Sequence, residues 1–561
     1  MKQQLLIINL LLSTVTLSAQ DTINRQVTVE REFQPILEQA QKIKVAPTRV
    51  DLTIEPAEVT YSTYAEPLPR LAKIHPLACS EVKYQAPEPE NGHIDGAICH
   101  RNTHIDFLYT LREKKDIVMD LYARHDGQWG RSTLEKSVLG MTFCKSFSPL
   151  DVYFTVDGQN RYYSRYGRYY DGDNGLTIDK ISDLQPADWQ TLWDVHTNFG
   201  IRSAKGQAVQ YGIETGYNTT IVPSQVAEHR VMTHAYVGWQ GDEHSAGLEV
   251  RVQNAFMTLD KDSAPIGAYD TYRNRHGIRM RPYYAYERYK VRVRVGMNLD
   301  MNIGRGQFLT NAADLSFAPS PDVHFEYRIV PSWLLLYANA IGSFGYGTLD
   351  GYYDSNLYLG VRDGIISQHV CGYVPVDAGL GFRIKPCEGL LLDVHARYAY
   401  RMNQLVWKTE LPNMSYCYSD WQQWTVGAEV TYHYRDIIHI LASGHYYKWI
   451  QQSMESYLSR MGAEVYDRPS WDAHLRIDAN IDRKWSLYSD NIFAGSRMAM
   501  TATEDIKLKP TIDLSLGVRY AVNRWLTCYL QVNNYLNRHN DIYYGYQSQG
   551  VHGLLGVKYS F

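Results

Sequence analysis

The sequence predicts an all-β protein, a large antiparallel transmembrane β-barrel that crosses its membrane with strands. Segments in which apolar and polar residues alternate recur along most of the chain, and this alternation gives a strand one apolar and one polar face. These segments run roughly 9–14 residues, the length that a tilted membrane strand needs. The chain ends on such a segment, with Leu555, Val557, Tyr559 and Phe561 on one face. Tyrosines also outnumber phenylalanines, 45 to 14, and a ring with a polar tip suits the two membrane–water interfaces.

Residues 1–20 have the pattern of a signal peptide. Lys2 supplies a positive charge, residues 5–17 are mostly apolar, and residues 18–20 offer small side chains for cleavage. The apolar run is shorter than the roughly 20 residues that a membrane-spanning helix requires. We therefore expect cleavage after residue 19 or 20.

Residues 21–90 form a proline-rich segment ahead of the barrel. Eight of the 21 prolines fall here, and proline lacks the backbone donor that a strand ladder uses. We expect an extended periplasmic segment with at most one small strand or helix. A docking arm for a periplasmic or outer-membrane protein partner and a plain disordered leader are both consistent with it.

Residues 91–561 have the strand pattern of the barrel, and short turns alternate with longer loops between the strands. Turns are predicted near residues 112–115, 147–149, 204–206, 240–243, 287–289, 331–332, 386–389, 434–436, 482–484 and 521–524. Loops are predicted at 163–187, 220–228, 258–274, 302–318, 346–374, 402–421, 449–468, 498–509 and 535–549. The tally is about 22 strands, with an error of about two to four. An even count is favoured because it places both chain ends in the periplasm.

These features resemble Gram-negative outer-membrane β-barrels. The resemblance implies that Gly556, Tyr559 and the C-terminal Phe561 belong to a C-terminal assembly signal. It also implies the cell outer membrane as location, with the barrel-assembly machinery and outer-membrane lipid as partners. The strand tally and loop pattern are similar to the barrel of TonB-dependent receptors. A plug domain of well over a hundred residues fills the lumen in that family, and residues 21–90 are too few to supply one.

The composition excludes several other classes of function. The net charge is −4, so no nucleic-acid partner is expected. The seven cysteines are an odd number without motif spacing, which argues against a disulfide scaffold. Neither a Gly-x-Ser-x-Gly elbow nor a His-Glu-x-x-His motif occurs, so we assign no catalytic residues, expect no cofactor and predict that the protein is not an enzyme.

One group of residues resembles a metal site only superficially. Cys99, His100, His104 and His93 lie close together in the sequence. A zinc site needs three or four convergent ligands, whereas Cys99 and His100 would face opposite sides of a strand. We therefore predict no metal site.

A basic hairpin is the most specific internal feature. Arg279 and Arg281 share one strand face, and Arg292 and Arg294 share a face on the next strand. Because the intervening valines take the lipid side, these arginines are predicted to form a basic patch in the lumen. The patch either attracts anions, as arginine rings do in selective pores, or forms internal salt bridges to lumen carboxylates such as Asp393, Asp472, Asp478 or Asp513.

Two loops bear on function. The loop around 346–373 is the longest and most apolar, and it is a lid, a partner contact or simple loop packing. The loop at 449–468 has apolar residues spaced for a short amphipathic helix. The sequence thus favours a pore or TonB-dependent-receptor-like transporter for small solutes, because so many strands leave a lumen too wide for side chains to fill. The alternative is a non-conducting barrel that docks a partner in an outer-membrane complex.

Overall fold

The computed structural model describes residues 91–113, 116–130, 132–167, 188–204, 207–259, 274–303, 315–360, 372–410, 413–454, 465–501 and 505–561. The predicted signal peptide at 1–20 and the proline-rich segment at 21–90 lie outside these residues. So does most of the predicted amphipathic helix within 449–468.

Twenty-two antiparallel strands close into one barrel, and two further β-hairpins lie between barrel strands. The strands are β1 (Gly92–Cys99), β2 (Asn102–Glu113), β3 (Ile117–Gln128), β4 (Leu134–Ser146), β5 (Leu150–Arg165), β6 (Asp188–Ser203), β7 (Val209–Val222), β8 (Val226–Gln240), β9 (His244–Leu259), β10 (Arg275–Arg288), β11 (Val291–Ile303), β12 (Leu315–Val330), β13 (Leu334–Phe344), β14 (Tyr373–Cys387), β15 (Leu390–Glu410), β16 (Asn413–Tyr434), β17 (Ile438–Met454), β18 (Trp471–Asn480), β19 (Trp485–Ala494), β20 (Arg497–Thr501), β21 (Asp505–Leu508), β22 (Thr511–Ala521), β23 (Leu526–Asn533), β24 (Asp541–Tyr543), β25 (Tyr546–Gln547) and β26 (His552–Ser560). The hairpins β20–β21 and β24–β25 stand outside the barrel ring, so the predicted count of about 22 is confirmed.

The barrel closes where β1 pairs with β26, a junction that we call the seam. The register runs from His93 opposite Ser560 to Ile98 opposite Leu555. The backbone N–H groups of Asn91 and Gly92 both donate to the carbonyl oxygen of Phe561, at 2.6 and 3.0 Å. The last residue therefore satisfies backbone donors that an open sheet edge would expose to lipid.

The two ends of the barrel differ. At the end where the seam begins and the chain terminates, neighbouring strands are joined by connections of a few residues, and all of the predicted turns lie there. We call this the short-turn end. The opposite, long-loop end contains the connections 166–187, 260–274, 304–314 and 345–372. This asymmetry is that of outer-membrane barrels.

Two of the predicted loops consist mostly of barrel strands instead. Residues 402–421 lie almost entirely in β15 and β16, which pair out to Glu410 and Asn413 with one register shift between Arg401 and Gln404. The backbone N–H and carbonyl groups of the two strands pair with each other. The β15–β16 hairpin can therefore extend beyond the membrane-spanning part of the barrel. Residues 220–228 are also mostly strand, because β7 and β8 pair as far as Val222 and Val226.

The outer face of the barrel is an apolar belt. Leu139 is 70% exposed, Val426 is 58% exposed, and Val394 and Leu516 are each 46% exposed. Their neighbours in sequence face the lumen and are polar or small. Exposed aliphatic side chains in alternation with polar ones are what a lipid-facing strand requires.

Tyrosines fill the inner face opposite glycines. In each of several cross-strand pairs, a tyrosine ring lies where a side chain of the facing glycine would be. The pairs are Tyr122–Gly140, Tyr153–Gly200, Tyr236–Gly212, Tyr283–Gly247, Tyr337–Gly381, Tyr488–Gly517 and Tyr529–Gly556. The glycines make room for rings that cover the neighbouring strand, a cross-strand arrangement that stabilises sheets.

The main apolar core lies at the long-loop end and includes the helix α1 (Leu349–Ser355). Thr348 caps α1, because its side-chain oxygen accepts from the backbone N–H of Gly351. Leu349, Tyr352 and Tyr353 of α1 are completely buried.

Among the described residues, no helix has both the length and the apolar character needed to cross a membrane.

Candidate solute path and mouth

Three arginines of the predicted basic patch converge on lumen carboxylates. Arg279 Nε donates to Oδ1 of Asp300 at 2.6 Å, and the Asp300 side chain is completely buried. Arg281 Nε donates to Oδ2 of Asp322 at 2.8 Å, and the Asp322 side chain is 1% exposed. Arg294 lies with its guanidinium 4.1 Å from the ring centroid of Tyr283 and 3.4 Å from Asp322.

A third carboxylate completes this group. Glu249, on β9, lies 3.4 Å from Arg281 and 3.9 Å from Arg294. Arg279, Arg281 and Arg294 therefore face Asp300, Asp322 and Glu249, three positive charges against three negative ones. The arrangement is a cross-strand charge network, and a fourth arginine, Arg251 of β9, lies directly opposite Arg279.

The structure separates Arg292 from the other three. Its side chain is 62% exposed at the short-turn end and lies 3.3 Å from Glu287. The carboxylates considered as partners from the sequence lie on β15, β18 and β22. They are too many strands away, because neighbouring strands are about 4.8 Å apart and a side chain reaches little further than the next strand.

Two histidines of the group that superficially resembles a metal site, His93 and His104, contact carboxylates instead. His93 Nε2 lies 2.9 Å from Asp106 and His104 Nδ1 lies 2.6 Å from Asp126. Cys99 is exposed. In the part of the chain that the structure describes, no three histidine, cysteine or acidic side chains gather closely enough to hold a metal ion.

The residues of the C-terminal assembly signal lie at the seam. Phe561 stacks on Tyr109 of β2, with 6.2 Å between ring centroids, and Tyr559 stacks on Phe561 at 6.0 Å. Tyr559 is 47% exposed on the lipid side. Gly556 faces the lumen, directly opposite Tyr529 of β23. Their role as a signal stays a prediction.

Two polar recesses line the lumen wall. One, of ≈ 410 Å³, is bordered by β13 to β17 and contains the ion pair of Arg397 with Asp377, at 2.7 Å. The other, of ≈ 440 Å³, is bordered by β5 to β9 and contains Glu214, His234 and Arg251. Polar or charged residues make up most of both linings, so the wall offers hydrogen bonds to polar solutes.

The mouth at the long-loop end is covered by residues 345–360, which we call the mouth segment. It follows β13 and includes α1, and Leu349, Tyr352, Tyr353 and Leu359 are completely buried. Its far end pairs with the outer part of β16, where the Gly360 N–H donates to the carbonyl oxygen of Met414 at 3.2 Å.

Ion pairs fasten the mouth segment to the wall on the side of β8 and β10. Arg230 donates from Nη1 and Nη2 to the two carboxylate oxygens of Asp350, at 3.0 and 2.8 Å. Arg275 donates to the carbonyl oxygen of Gly347 and to Oε2 of Glu228, the latter at 3.0 Å. Glu228 accepts the backbone N–H of Leu349 at 3.3 Å.

A second attachment lies on β5 and β6. Arg161 donates from Nη1 to Asp354 of α1 and from Nη2 to Asp194 of the wall, at 2.7 Å each. Asp194 is held in turn by Thr220, whose hydroxyl donates to it at 2.8 Å. Arg165 donates to the carbonyl oxygen of Leu359 at 3.0 Å.

Stacked tyrosines close the remaining side. Tyr358 of the mouth segment stacks on Tyr546 of β25, with 3.8 Å between ring centroids. Tyr166 packs edge-on against both rings. Tyr543 of β24 donates its hydroxyl to the carbonyl oxygen of Ser355 at 2.8 Å. Burial raises the pKa of Tyr358 to about 12, so this hydroxyl stays protonated at neutral pH.

The mouth segment thus spans the barrel opening. It touches β5, β8 and β10 on one side, β15 and β16 on another, and the β24–β25 hairpin on a third. β5 and β13 are eight strands apart, roughly 38 Å along the wall at 4.8 Å per strand, so these contacts cross the lumen opening.

Electrostatics favour the attached state. Burial raises the pKa of the Asp350 carboxyl, but the hydrogen bonds and charge of Arg230 outweigh burial and hold that pKa below its usual range. Asp350 is therefore ionised at neutral pH, as a bidentate pair with arginine requires.

A buried charged cluster supports the outer side of the mouth. Asp467, between β17 and β18, is 3% exposed, and burial raises its pKa to about 6 although Arg497 and Arg468 lie nearby. Burial also lowers the pKa of Arg468 to about 9, and its guanidinium lies over the rings of Trp421 and Trp449, at 5.2 and 5.8 Å.

Sequence reasoning did not single out Arg161, Arg230, Arg275, Asp350 or Asp354. The only local signals were the spacing of Asp350 and Asp354 four residues apart, which places both on one helix face, and the alternation of Glu228 with Arg230 on one strand face. Nothing local connects the helix segment to these arginines, whose contacts with it join residues 72 to 193 positions apart.

No family model matches the sequence, and no curated protein matches it either. Among solved structures, the ferric-catecholate import receptor Fiu from E. coli K12 superposes with a TM-score of 0.62 at 10% identity, over 84% of this chain and 82% of that chain.

Two further structures are similar to the same extent. The copper transporter OprC has a TM-score of 0.61 at 13% identity, over 84% of this chain and 80% of that chain. The FrpB iron transporter from Neisseria meningitidis has a TM-score of 0.63 at 8% identity, over 84% and 82%. The barrel fold is thus that of TonB-dependent receptors, as the sequence resemblance implied. A closed barrel with this apolar belt and this asymmetry of turns places the chain in the bacterial outer membrane.

Proposed function

We propose that this outer-membrane barrel is a receptor-like transporter that admits small polar solutes through its lumen, and that the mouth segment closes it at rest. The main support is the mouth segment itself. A barrel of this strand number encloses a space that wall side chains do not fill, and a transporter with such a lumen needs an internal obstruction to keep the membrane tight. The charged side chains and polar recesses of the wall suit hydrated, polar solutes.

The structural neighbours are named as import receptors and transporters, of ferric catecholate, copper and iron. We extend to this chain only the general role of solute uptake.

The test is conductance of the purified full-length protein in planar bilayers. We expect brief, small openings from the native protein, because the mouth segment stays attached. Replacement of residues 347–359 by a glycine–serine linker should give large, stable currents. Heat-modifiable mobility on gels controls for folding of both proteins. A folded linker variant without current would contradict the proposal.

A silent barrel would favour the second candidate function, docking of a partner in an outer-membrane complex. The observation in its favour is the β15–β16 hairpin, whose arms are 21 and 22 residues long. A membrane strand needs only about 9–11 residues, so the hairpin projects well beyond the bilayer at the long-loop end. Residues 21–90 are the proposed docking arm. Co-purification of a defined stoichiometric partner, lost on deletion of 21–90 or on shortening the hairpin, is the corresponding test.

A further inference from the structure

Three arginines at the mouth converge from separate parts of the wall. Arg161 lies on β5, Arg230 on β8 and Arg275 on β10, and their side chains are only 6%, 8% and 11% exposed. Buried guanidinium groups are costly unless they are paired. Here the acidic residues of α1 complete that pairing, since Arg161 binds Asp354 and Arg230 binds Asp350.

The wall holds these arginines in place independently of the mouth segment. Asp194 fixes Arg161 at 2.7 Å, and Glu228 lies 3.0 Å from Arg275 and 3.5 Å from Arg230. Removal of α1 would take the carboxylates of Asp350 and Asp354 away from these guanidinium groups. The recess at the mouth would then be more positive by two charges and would keep the arginines that had bound those carboxylates.

The two carboxylates that occupy this recess have a defined spacing. Asp350 and Asp354 are four residues apart on α1, so their Cβ atoms are about 5–6 Å apart. Arg230 binds the carboxylate of Asp350 through both oxygens. This bidentate geometry discriminates carboxylates from single-atom anions. The mouth segment therefore presents two acidic groups to the wall as a solute would.

We propose that Arg161, Arg230 and Arg275 form a binding site for a solute with two carboxylate groups, which Asp350 and Asp354 occupy while the mouth is closed. A dicarboxylate solute and the mouth segment then compete for the same arginines, so that binding and release of the mouth segment are one event. This inference rests on the proposed transport function, since it names the class of solute that would open the path.

Glutarate is a suitable probe, because it has two carboxylates and no other functional group. Calorimetric titration of the full-length protein should show weak binding to the native form. The D350N/D354N variant should bind glutarate at least about tenfold more tightly, since a tethered competitor acts at millimolar effective concentration. The matched control is D482N, a carboxylate at the short-turn end, which should leave the affinity at its native value. Addition of R161Q and R230Q to D350N/D354N should abolish the increase in glutarate affinity.

A second measurement needs no variant. Hydrogen exchange in residues 345–360 of the native protein should accelerate with glutarate and stay unchanged with acetate at equal ionic strength. If D350N/D354N folds but binds glutarate no better than the native protein, or if glutarate leaves exchange in 345–360 unchanged, the ion pairs are only a fastening and the proposed site is wrong. Binding is measured here without flux, so a silent barrel that binds glutarate contradicts transport alone, whereas a conducting barrel that ignores glutarate contradicts this site alone.

Discussion

Tyr529 donates its hydroxyl to Oδ1 of Asp95 at 2.6 Å, a bond that joins residues 434 positions apart. The ring of Tyr529 starts on β23, crosses over Gly556 of β26 and reaches β1 on the other side of the seam. Both side chains are nearly inaccessible, at 6% and 3% exposure. The seam is thus fastened from the lumen side by one ring that covers all three strands.

Substitution of Gly556 by alanine should weaken the seam. An added Cβ would lie 2.3 Å from Cζ of Tyr529, so the ring must move and its bond to Asp95 must break. We expect a loss of about 1–3 kcal/mol in the free energy of unfolding, typical of overpacking. The control is G96A on the adjacent β1, where an added methyl meets nothing within 4 Å. Urea unfolding in lipid measures the stability of G556A and G96A. Equal midpoints would contradict the stabilisation of the seam by Tyr529.

Deletion of Tyr559–Phe561 should prevent assembly in the outer membrane. The deletion removes the carbonyl acceptor of Asn91 and Gly92 and the ring that stacks on Tyr109, which leaves an open strand edge in lipid. The measurement is heat-modifiable protein in the outer-membrane fraction, with full-length K558Q as control. Normal levels of the truncated, heat-modifiable protein would show that the chain end is dispensable.

Arginine on the apolar belt should destabilise the barrel, whereas the same change on the inner face should not. V394R and L516R place a charge in lipid and should cost about 2–4 kcal/mol if the site is near the bilayer midplane. S515R faces the lumen opposite Asp490, a position that can pair the new charge. The unfolding midpoints of the three variants test which residues face lipid and which face the lumen. Equal midpoints for all three would show that this assignment is wrong.

Ion selectivity should respond to Asp322 if the basic patch lies on the ion path. D322N leaves Arg281, Arg294 and His324 with one carboxylate fewer, so the reversal potential should shift toward anion preference. The shift should shrink with salt, because the Debye length falls from about 10 Å at 0.1 M to about 3 Å at 1 M. E287Q, at the exposed pair with Arg292, is the control. An unchanged reversal potential in a folded, conducting D322N barrel would place the patch away from the ions.

Stability should fall as the pH rises through the pKa of Asp467. Burial raises that pKa to about 6 from 3.8, so the folded protein binds a proton between these values that the unfolded chain has released. Linkage then makes the folded state less stable at pH 8 than at pH 5, by on the order of 1–2 kcal/mol. D467N should remove this contribution, and asparagine tolerates the φ of 57° found there. Thermal midpoints of both proteins from pH 5 to 8 are the measurement, and parallel curves would contradict the pKa shift.

The barrel was predictable because its determinants are local. Alternation along β22, from Ile512 to Tyr520, and a polar turn after it need no knowledge of distant residues. Extension of β15 and β16 beyond the membrane was missed because the polar residues of 402–421 are typical of a loop until their pairing across the hairpin is known.

The mouth and the charge network depend on contacts between distant residues. The sequence left the loop around 346–373 open between a lid, a partner contact and loop packing, because the arginines that hold it are on β5, β8 and β10. The basic hairpin was identified, but not its partners Glu249 and Asp322, since these follow from the cross-strand register. Register is set by the whole sheet and not by the two strands that bear the arginines.

Pairing of the first barrel strand with the last also dictates the timing of synthesis and folding. β1 emerges early, yet its second partner, β26, is made only when translation reaches the final residues. No ring can close around a partial chain, so the nascent protein must travel to its membrane with a bare edge and unfinished sheet. An exposed strand edge can pair with other chains, so we expect β1 to need shielding until the nine-residue β26 is available.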